Sequence, residues 1–175
     1  MKRNINRFSI YMAVGVLLVL ISLGFGRLSY GVVMPFMRRG LEMSYAQAGF
    51  LGTVTSLGYL VTVLFAGWLA ARWGYKQTVL TGCGMLMVSM LGLSLTTAYS
   101  LAVPAMFAAG VGSGLVFTPA LSLMVGWFPE RRGLAAGFLM SGTGLALVLS
   151  GLFVPVMGAA SADGWRWVWL SFTAA

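Results

Sequence analysis

The sequence predicts an all-α membrane protein: a helical bundle of about five complete transmembrane helices plus the start of a sixth. Three observations predict it. Of 175 residues, 59% are hydrophobic and only 8% are charged, far less charge than a water-facing surface of this size requires. Mean hydropathy is +0.93. The apolar residues fall in runs of a length that suits a hydrocarbon core about 30 Å thick, which takes roughly 20 residues of helix per crossing.

The chain opens with "MKRNINR", carrying Lys2, Arg3 and Arg7. An uncharged run then leads to Arg27, and apolar sequence continues to Pro35. A basic start before an apolar run resembles a signal peptide. The run is too long for one, no small-residue cleavage site follows, and more spans come after. The first span is therefore expected at about 9–35, tilted or bent near Gly24 and Gly26. "MRRGLEMS", 37–44, reads as a polar turn. Ser44 and Gln47 fit a capping box, in which each side chain satisfies an orphan amide of a new helix. That helix is the second span, 45–71.

The turn "ARWGYK" carries Arg72 and Lys76, after which no charge occurs until Glu130. One helix cannot be that long. "TTAYSLAVP", 96–104, divides it into spans at about 78–98 and 101–127. "FPERRG", 128–133, is the next polar loop, and a fifth span covers about 134–158. "ASADGWR" is a further loop, and "WVWLSFTAA" begins an incomplete sixth span, 167–175. Together, 1–175 read as a single transmembrane domain.

Net charge is +8, from 11 Lys and Arg against 3 Asp and Glu. The cations lie in short clusters between apolar runs and not along a polar face, so no nucleic-acid partner is expected; the clusters follow the positive-inside bias of membrane loops. Lys2, Arg3, Arg7, Arg72, Lys76, Arg131 and Arg132 fall on one side of the membrane, and Arg38, Arg39 and Arg166 on the other. The N-terminus is thus expected in the cytoplasm, the protein in the plasma (inner) membrane. The chain has no histidine and a single cysteine, Cys83. This rules out His-ligated metal, His-dependent acid–base chemistry and an intrachain disulfide. No cofactor is expected. Without paired carboxylates or a metal-ligand cluster, a membrane enzyme has little support.

The stretch "GWLAARWGYKQTVL" carries more than charge. It resembles the loop between the second and third spans of the major facilitator superfamily, G-x-L-A-D-R-x-G-R-K-x-x-L. Gly67, Leu69, Ala70, Arg72, Gly74, Lys76 and Leu80 match; Ala71 stands where that family has Asp, and Tyr75 where it has a basic residue. "WFPERRGLAAG", 127–137, is similar to the family's loop between the fourth and fifth spans. "GFGRLSYGVVMP", 24–35, is similar to bacterial members, including a group near cyanate- and aromatic-type permeases. There are departures. Met106 takes the place of the fourth-span arginine, and Pro155 lacks its usual glycine partner.

The resemblance implies two inverted three-helix repeats, faintly echoed by Gly24, Gly26 and Pro35 against Gly110, Gly112 and Pro119. It also implies an amino-terminal half of a twelve-span secondary transporter, with the lipid bilayer around it. Such a half works by alternating access against the missing carboxyl-terminal half or a second chain. Gly67, Arg72, Gly74 and Lys76 would form its cytoplasmic gating loop; Ala71 removes the charge on which the family's closing contact depends. The cargo would be a small organic solute, anionic if Arg27 faces the cavity. The other function class is a non-transporting membrane interaction module, or a half-transporter that acts only as an oligomer.

Arg27 is the only charge inside a span. It lies about 7 Å from the membrane centre at about 1.5 Å of rise per residue, where a cation costs about 3 kcal/mol. Two readings follow: an anion-binding or coupling residue facing a central cavity, or a structural cation that snorkels outward or bonds carbonyls freed around Gly24 and Gly26. Tyr30 and Met34 share its helical face at i+3 and i+7. On the fourth span, Ser113 and Phe117 stand one turn apart, and the resemblance places the first and fourth spans along the cavity. Gly110/Gly114, Gly133/Gly137 and Gly52/Ser56 have the spacing of close helix contacts. No Asp or Glu lies inside any span, so this part of the chain carries no carboxylate for proton coupling.

Overall fold

In a lipid core no water is available to backbone amides, so each crossing segment must satisfy its own. The computed structural model meets that demand with helices throughout. It describes residues 2–161 and 163–174, with side chains from residue 10 onward. The first span is one continuous rod built from α1 (Lys2–Val19), a π-helical segment (Leu20–Leu28) and α2 (Tyr30–Gly40). Then follow α3 (Tyr45–Trp73), α4 (Tyr75–Leu95), α5 (Tyr99–Trp127), a single 3₁₀ turn (Pro129–Arg131), α6 (Arg132–Ala160) and α7 (Gly164–Ala174). Among the described residues, five helical stretches are long and apolar enough to cross a membrane: Ile10–Gly40, Tyr45–Trp73, Tyr75–Leu95, Tyr99–Trp127 and Pro129–Ala160.

Helix ends differ from the expected ones where charge was read as loop. α2 runs through Pro35 to Gly40, and Arg38 and Arg39 sit in its last turn. A proline forfeits a single backbone bond, and cations at a helix C-terminus complement its dipole. The turn is therefore only the short segment before Tyr45, in which Glu42 takes a positive φ of 50°. Likewise α7 starts at Gly164 and takes in Trp165 and Arg166, which the polar pattern assigned to a loop. The corner between α3 and α4 is a single residue, Gly74, at φ 93° and ψ 143°. That conformation favours glycine, which explains how a helix can end at Trp73 and another begin at Tyr75. The capping box forms: Gln47 N donates to Ser44 Oγ at 3.1 Å, and Ser44 N donates to Gln47 Oε1 at 2.9 Å.

Two close helix crossings organise the bundle. α3 packs on α5 at Gly58 and Gly110: a methyl group on Gly58 would strike the Phe107 and Val111 backbone, and one on Gly110 the Thr55 and Tyr59 backbone. The first span packs on α6 in the same manner, Gly142 lying against the Val16 and Leu20 backbone and Gly24 against Ala146. In lipid, helix association gains little from hydrophobic burial, so backbone proximity and dispersion must supply it. Gly114 also faces α3, at Thr62, whereas Gly133 and Gly137 have nothing near their Cα hydrogens. That pair, expected to pack, does not pack within this bundle.

α7 closes one side. Its Trp165, Val168, Trp169 and Phe172 join the main core, and Phe172 stacks on Phe25 of the π segment with centroids 4.4 Å apart. Hydroxyl contacts tie the spans further. Ser29 and Ser150 share a hydrogen bond of 2.5 Å, and Ser89 Oγ donates to the Ala105 carbonyl at 2.6 Å. Leu57, Leu60, Leu64 and Phe65 of α3 and Leu152 and Val156 of α6 lie exposed on the outside of the bundle.

Gly110→Ala should push α3 from α5 and cost about 1–3 kcal/mol of stability, as overpacking does. Gly84→Ala, where nothing lies within 4 Å, serves as the control. Thermal unfolding of the purified protein in detergent checks the pair: a lowered midpoint is expected for the first and an unchanged one for the second.

Candidate functional site

The π segment sets the geometry around Arg27. Its characteristic five-residue bond is present, Ser29 N donating to the Gly24 carbonyl at 2.9 Å, and Ser29 Oγ donates to the same oxygen at 3.0 Å. π-helical turns are uncommon, and they often mark functional sites. The wider turn changes the angle between successive side chains. Residues spaced i and i+3 across it no longer point the same way.

Arg27 and Tyr30 accordingly part company. Tyr30 is 6% exposed and its hydroxyl donates to the Ala48 carbonyl at 2.7 Å, which ties α2 to the start of α3. Its ring lies against Gly52 at 3.6 Å from where a Cβ would stand. Met34 is half-buried and packs on the main core. Neither meets Arg27. The half-buried guanidinium of Arg27 instead lies over the Tyr59 ring, 4.2 Å from its centroid, and its Nη2 reaches Ser56 Oγ at 3.5 Å, the long end of a hydrogen bond. Among the described residues the only ion pair is Arg166–Asp163, so no carboxylate there neutralises Arg27.

Ser113 is fully buried. Its hydroxyl stands 2.7 Å from the Ser22 carbonyl and 2.8 Å from the Ala109 carbonyl, and donates between the two. It joins α5 to the π segment. Phe117 packs with Tyr59 and Leu121 on a second core cluster that includes Leu23, Met124 and Leu139. The structure thus groups Arg27, Ser56 and Tyr59, sets Phe117 in the cluster that also holds Tyr59, and buries Tyr30 and Ser113 in helix contacts.

Tyr59 escaped the sequence reading, and Ser56 entered it only as a packing position paired with Gly52. A faint signal existed: both lie on one face of α3, where a phenol and a hydroxyl interrupt an apolar run. A cation held against an aromatic face keeps its in-plane N–H groups for another acceptor. Chemically, the arrangement can take a carboxylate or similar anion edge-on. Among the described residues no three His, Cys, Asp or Glu side chains come together as a metal centre requires.

At the opposite feature, the α3–α4 corner, Arg72 is exposed and lies 5.4 Å from the centroid of Trp68. Lys76 is exposed on the first turn of α4, and Gly67 has open space beside it. Neither cation of this corner has an ion-pair partner among the described residues.

The family profile described as Major Facilitator Superfamily matches residues 16–175. The chain belongs to the Major Facilitator Superfamily. It corresponds to the amino-terminal half of such a transporter. It is 32% identical over 142 residues to the uncharacterised MFS-type transporter Rv1250 of Mycobacterium tuberculosis, covering 81% of this chain and 24% of that protein. It is 32% identical over 134 residues to mouse monocarboxylate transporter 14, covering 72% of this chain and 25% of the other. With the multidrug export protein EmrB of Haemophilus influenzae it shares 24% identity over 142 residues, 81% of this chain and 27% of the relative. The chain spans about a quarter of the length of these relatives. Membership and five apolar spans make it a multi-pass membrane protein.

Tyr30→Phe removes the hydroxyl from the Ala48 carbonyl. A loss of about 1 kcal/mol in stability is expected, read as a lower midpoint in detergent, with no loss of whatever binding Arg27 provides.

Proposed function

We propose that the chain is the amino-terminal half of a secondary active transporter that carries a small organic anion across the plasma (inner) membrane by alternating access. The observation that carries this reading is Arg27: a half-buried guanidinium in a membrane span, propped on Tyr59 and Ser56, with no carboxylate beside it among the described residues. A cation held at such depth costs several kcal/mol unless something compensates it. An anionic cargo would do so, through paired N–H···O bonds that strengthen where water is excluded. That a relative sharing 32% identity is named a monocarboxylate transporter supports the choice of an anion.

The two helix crossings support the mechanism. Exchanging the first span with the fourth, and the second with the fifth, turns the α3–α5 contact at Gly58 and Gly110 into the α6–first-span contact at Gly142 and Gly24. Such pairing is what inverted repeats produce, and folds of this kind hold their cargo between halves that rock against each other. A carboxyl-terminal half or a second chain supplies the other wall. The exposed corner at Gly67, Arg72, Gly74 and Lys76 is the cytoplasmic gating loop in this reading, and Ala71 leaves it without the carboxylate of the family pattern.

Two measurements test the reading. In cells producing the chain from its native locus, Arg27→Ala should lower uptake of an anionic substrate by about tenfold or more, the loss of about 1.4 kcal/mol of binding or beyond, and Arg27→Lys should keep part of it. Normal uptake at normal protein level would remove Arg27 from the mechanism. For orientation, a cysteine at Tyr75 in a Cys83→Ser background should resist a membrane-impermeant maleimide in intact cells and react once the cells are opened. Ready labelling of intact cells would invert the topology.

A further inference from the structure

A second polar feature sits at the end of the bundle where α4 finishes and α7 begins. A groove of about 420 Å³ opens there between the two helices, lined by Ser94, Leu95, Asp163, Arg166, Trp167 and Leu170. Its charges are opposite and adjacent. Arg166 Nε donates to Asp163 Oδ1 at 2.9 Å, and Arg166 Nη1 reaches the Ser94 carbonyl at 3.4 Å. These contacts hold the guanidinium in place, over the Trp165 ring at 4.8 Å. They leave Nη2 of Arg166 and Oδ2 of Asp163 without a partner among the described residues. The Arg166 side chain is 26% exposed and that of Asp163 67%, so both remain reachable from the groove.

The remaining walls are apolar. Leu95 is 75% exposed and Trp167 57%, a leucine and an indole facing outward at a helix end, the level at which tryptophans meet lipid headgroups. A fixed cation, a fixed anion and an apolar channel leading away from them form a distinct pattern. It complements a molecule with an anionic group, a cationic group a short link away, and a hydrocarbon chain.

We propose that this groove binds the headgroup of a zwitterionic phospholipid with a primary ammonium, of the phosphatidylethanolamine type. The phosphate accepts from Arg166 Nη2 in a charge-assisted hydrogen bond. The ammonium donates to Asp163 Oδ2. An acyl chain runs along Leu95, Trp167 and Leu170. A purely anionic lipid would meet Arg166 equally well and be repelled by Asp163. A choline headgroup would reach the phosphate contact and have no N–H for the carboxylate.

Native mass spectrometry of the purified protein in detergent tests this, titrating dioleoyl lipids with ethanolamine, choline or glycerol headgroups. The ethanolamine lipid should bind at least about tenfold more tightly than the other two. Asp163→Asn should erase that preference while retaining the glycerol lipid, and Arg166→Gln should weaken all three. If Arg166→Gln fails to fold, because Arg166 also holds the end of α4, Asp163→Asn decides alone. Equal binding of the three lipids, or an ethanolamine preference that survives in Asp163→Asn, would overturn the proposal. So would soluble phosphoethanolamine competing as strongly as the intact lipid, since the apolar wall would then contribute nothing.

Discussion

The contact between the backbones of α3 and α5 at Gly58 and Gly110 is the constraint from which the rest of the bundle follows. In water, two apolar helices would be driven together by solvent. In a bilayer the surrounding tails are as apolar as leucine, and this drive is absent. Attraction must then come from atoms brought into van der Waals contact, each pair worth only a fraction of a kcal/mol. Removing the side chain at the crossing lets whole backbones meet. The same device recurs at Gly142 and Gly24 between α6 and the first span. Two such crossings, one at each side of α5 and the first span, leave those two central rods side by side and linked by Ser113 and the Ser22 carbonyl.

That placement also explains the polar interior. Ser29, Ser89, Ser113 and Ser150 are all buried, and each spends its hydroxyl on a carbonyl or another hydroxyl. Small polar side chains fit where helices approach closely, and in lipid a hydroxyl has no solvent to turn to. Arg27 is the exception. It is placed by the π segment against Tyr59 and Ser56, and its charge meets no carboxylate among the described residues. Ser22 Oγ, Thr143 Oγ1, Trp165 Nε1 and Trp169 Nε1 are also buried without a hydrogen-bond partner among the described residues, but these groups are neutral; the unneutralised charge of Arg27 is what makes it the centre of the functional reading.

The spans and the turns between them were legible in the residues because hydropathy is a local property: each residue contributes regardless of its neighbours. The capping box at Ser44 and Gln47 and the glycine corner at Gly74 were legible for the same reason, since both are contacts within a few residues. The family resemblance rested on that corner too. Helix ends were misjudged where cations sit in the last or first turn, as at Arg38, Arg39 and Arg166, because charge marks the membrane boundary and not the end of the helix.

Facing was not legible. An amphipathic helix in water announces its buried side, but a helix apolar all round gives no such sign. The sequence by itself therefore determined that this is a bundle of about five membrane-crossing helices, and which charge stands alone in the apolar run of the first. Only the tertiary structure decided that Tyr59 rather than Tyr30 meets Arg27, that Gly110 packs while Gly133 does not, and that Ser113 is spent on a neighbouring backbone. The reason is rotational: within the first span the π turn between Leu20 and Leu28 changes the angle of the residues that follow it, and on the other helices the facing is set by what they touch and not by the order of their residues.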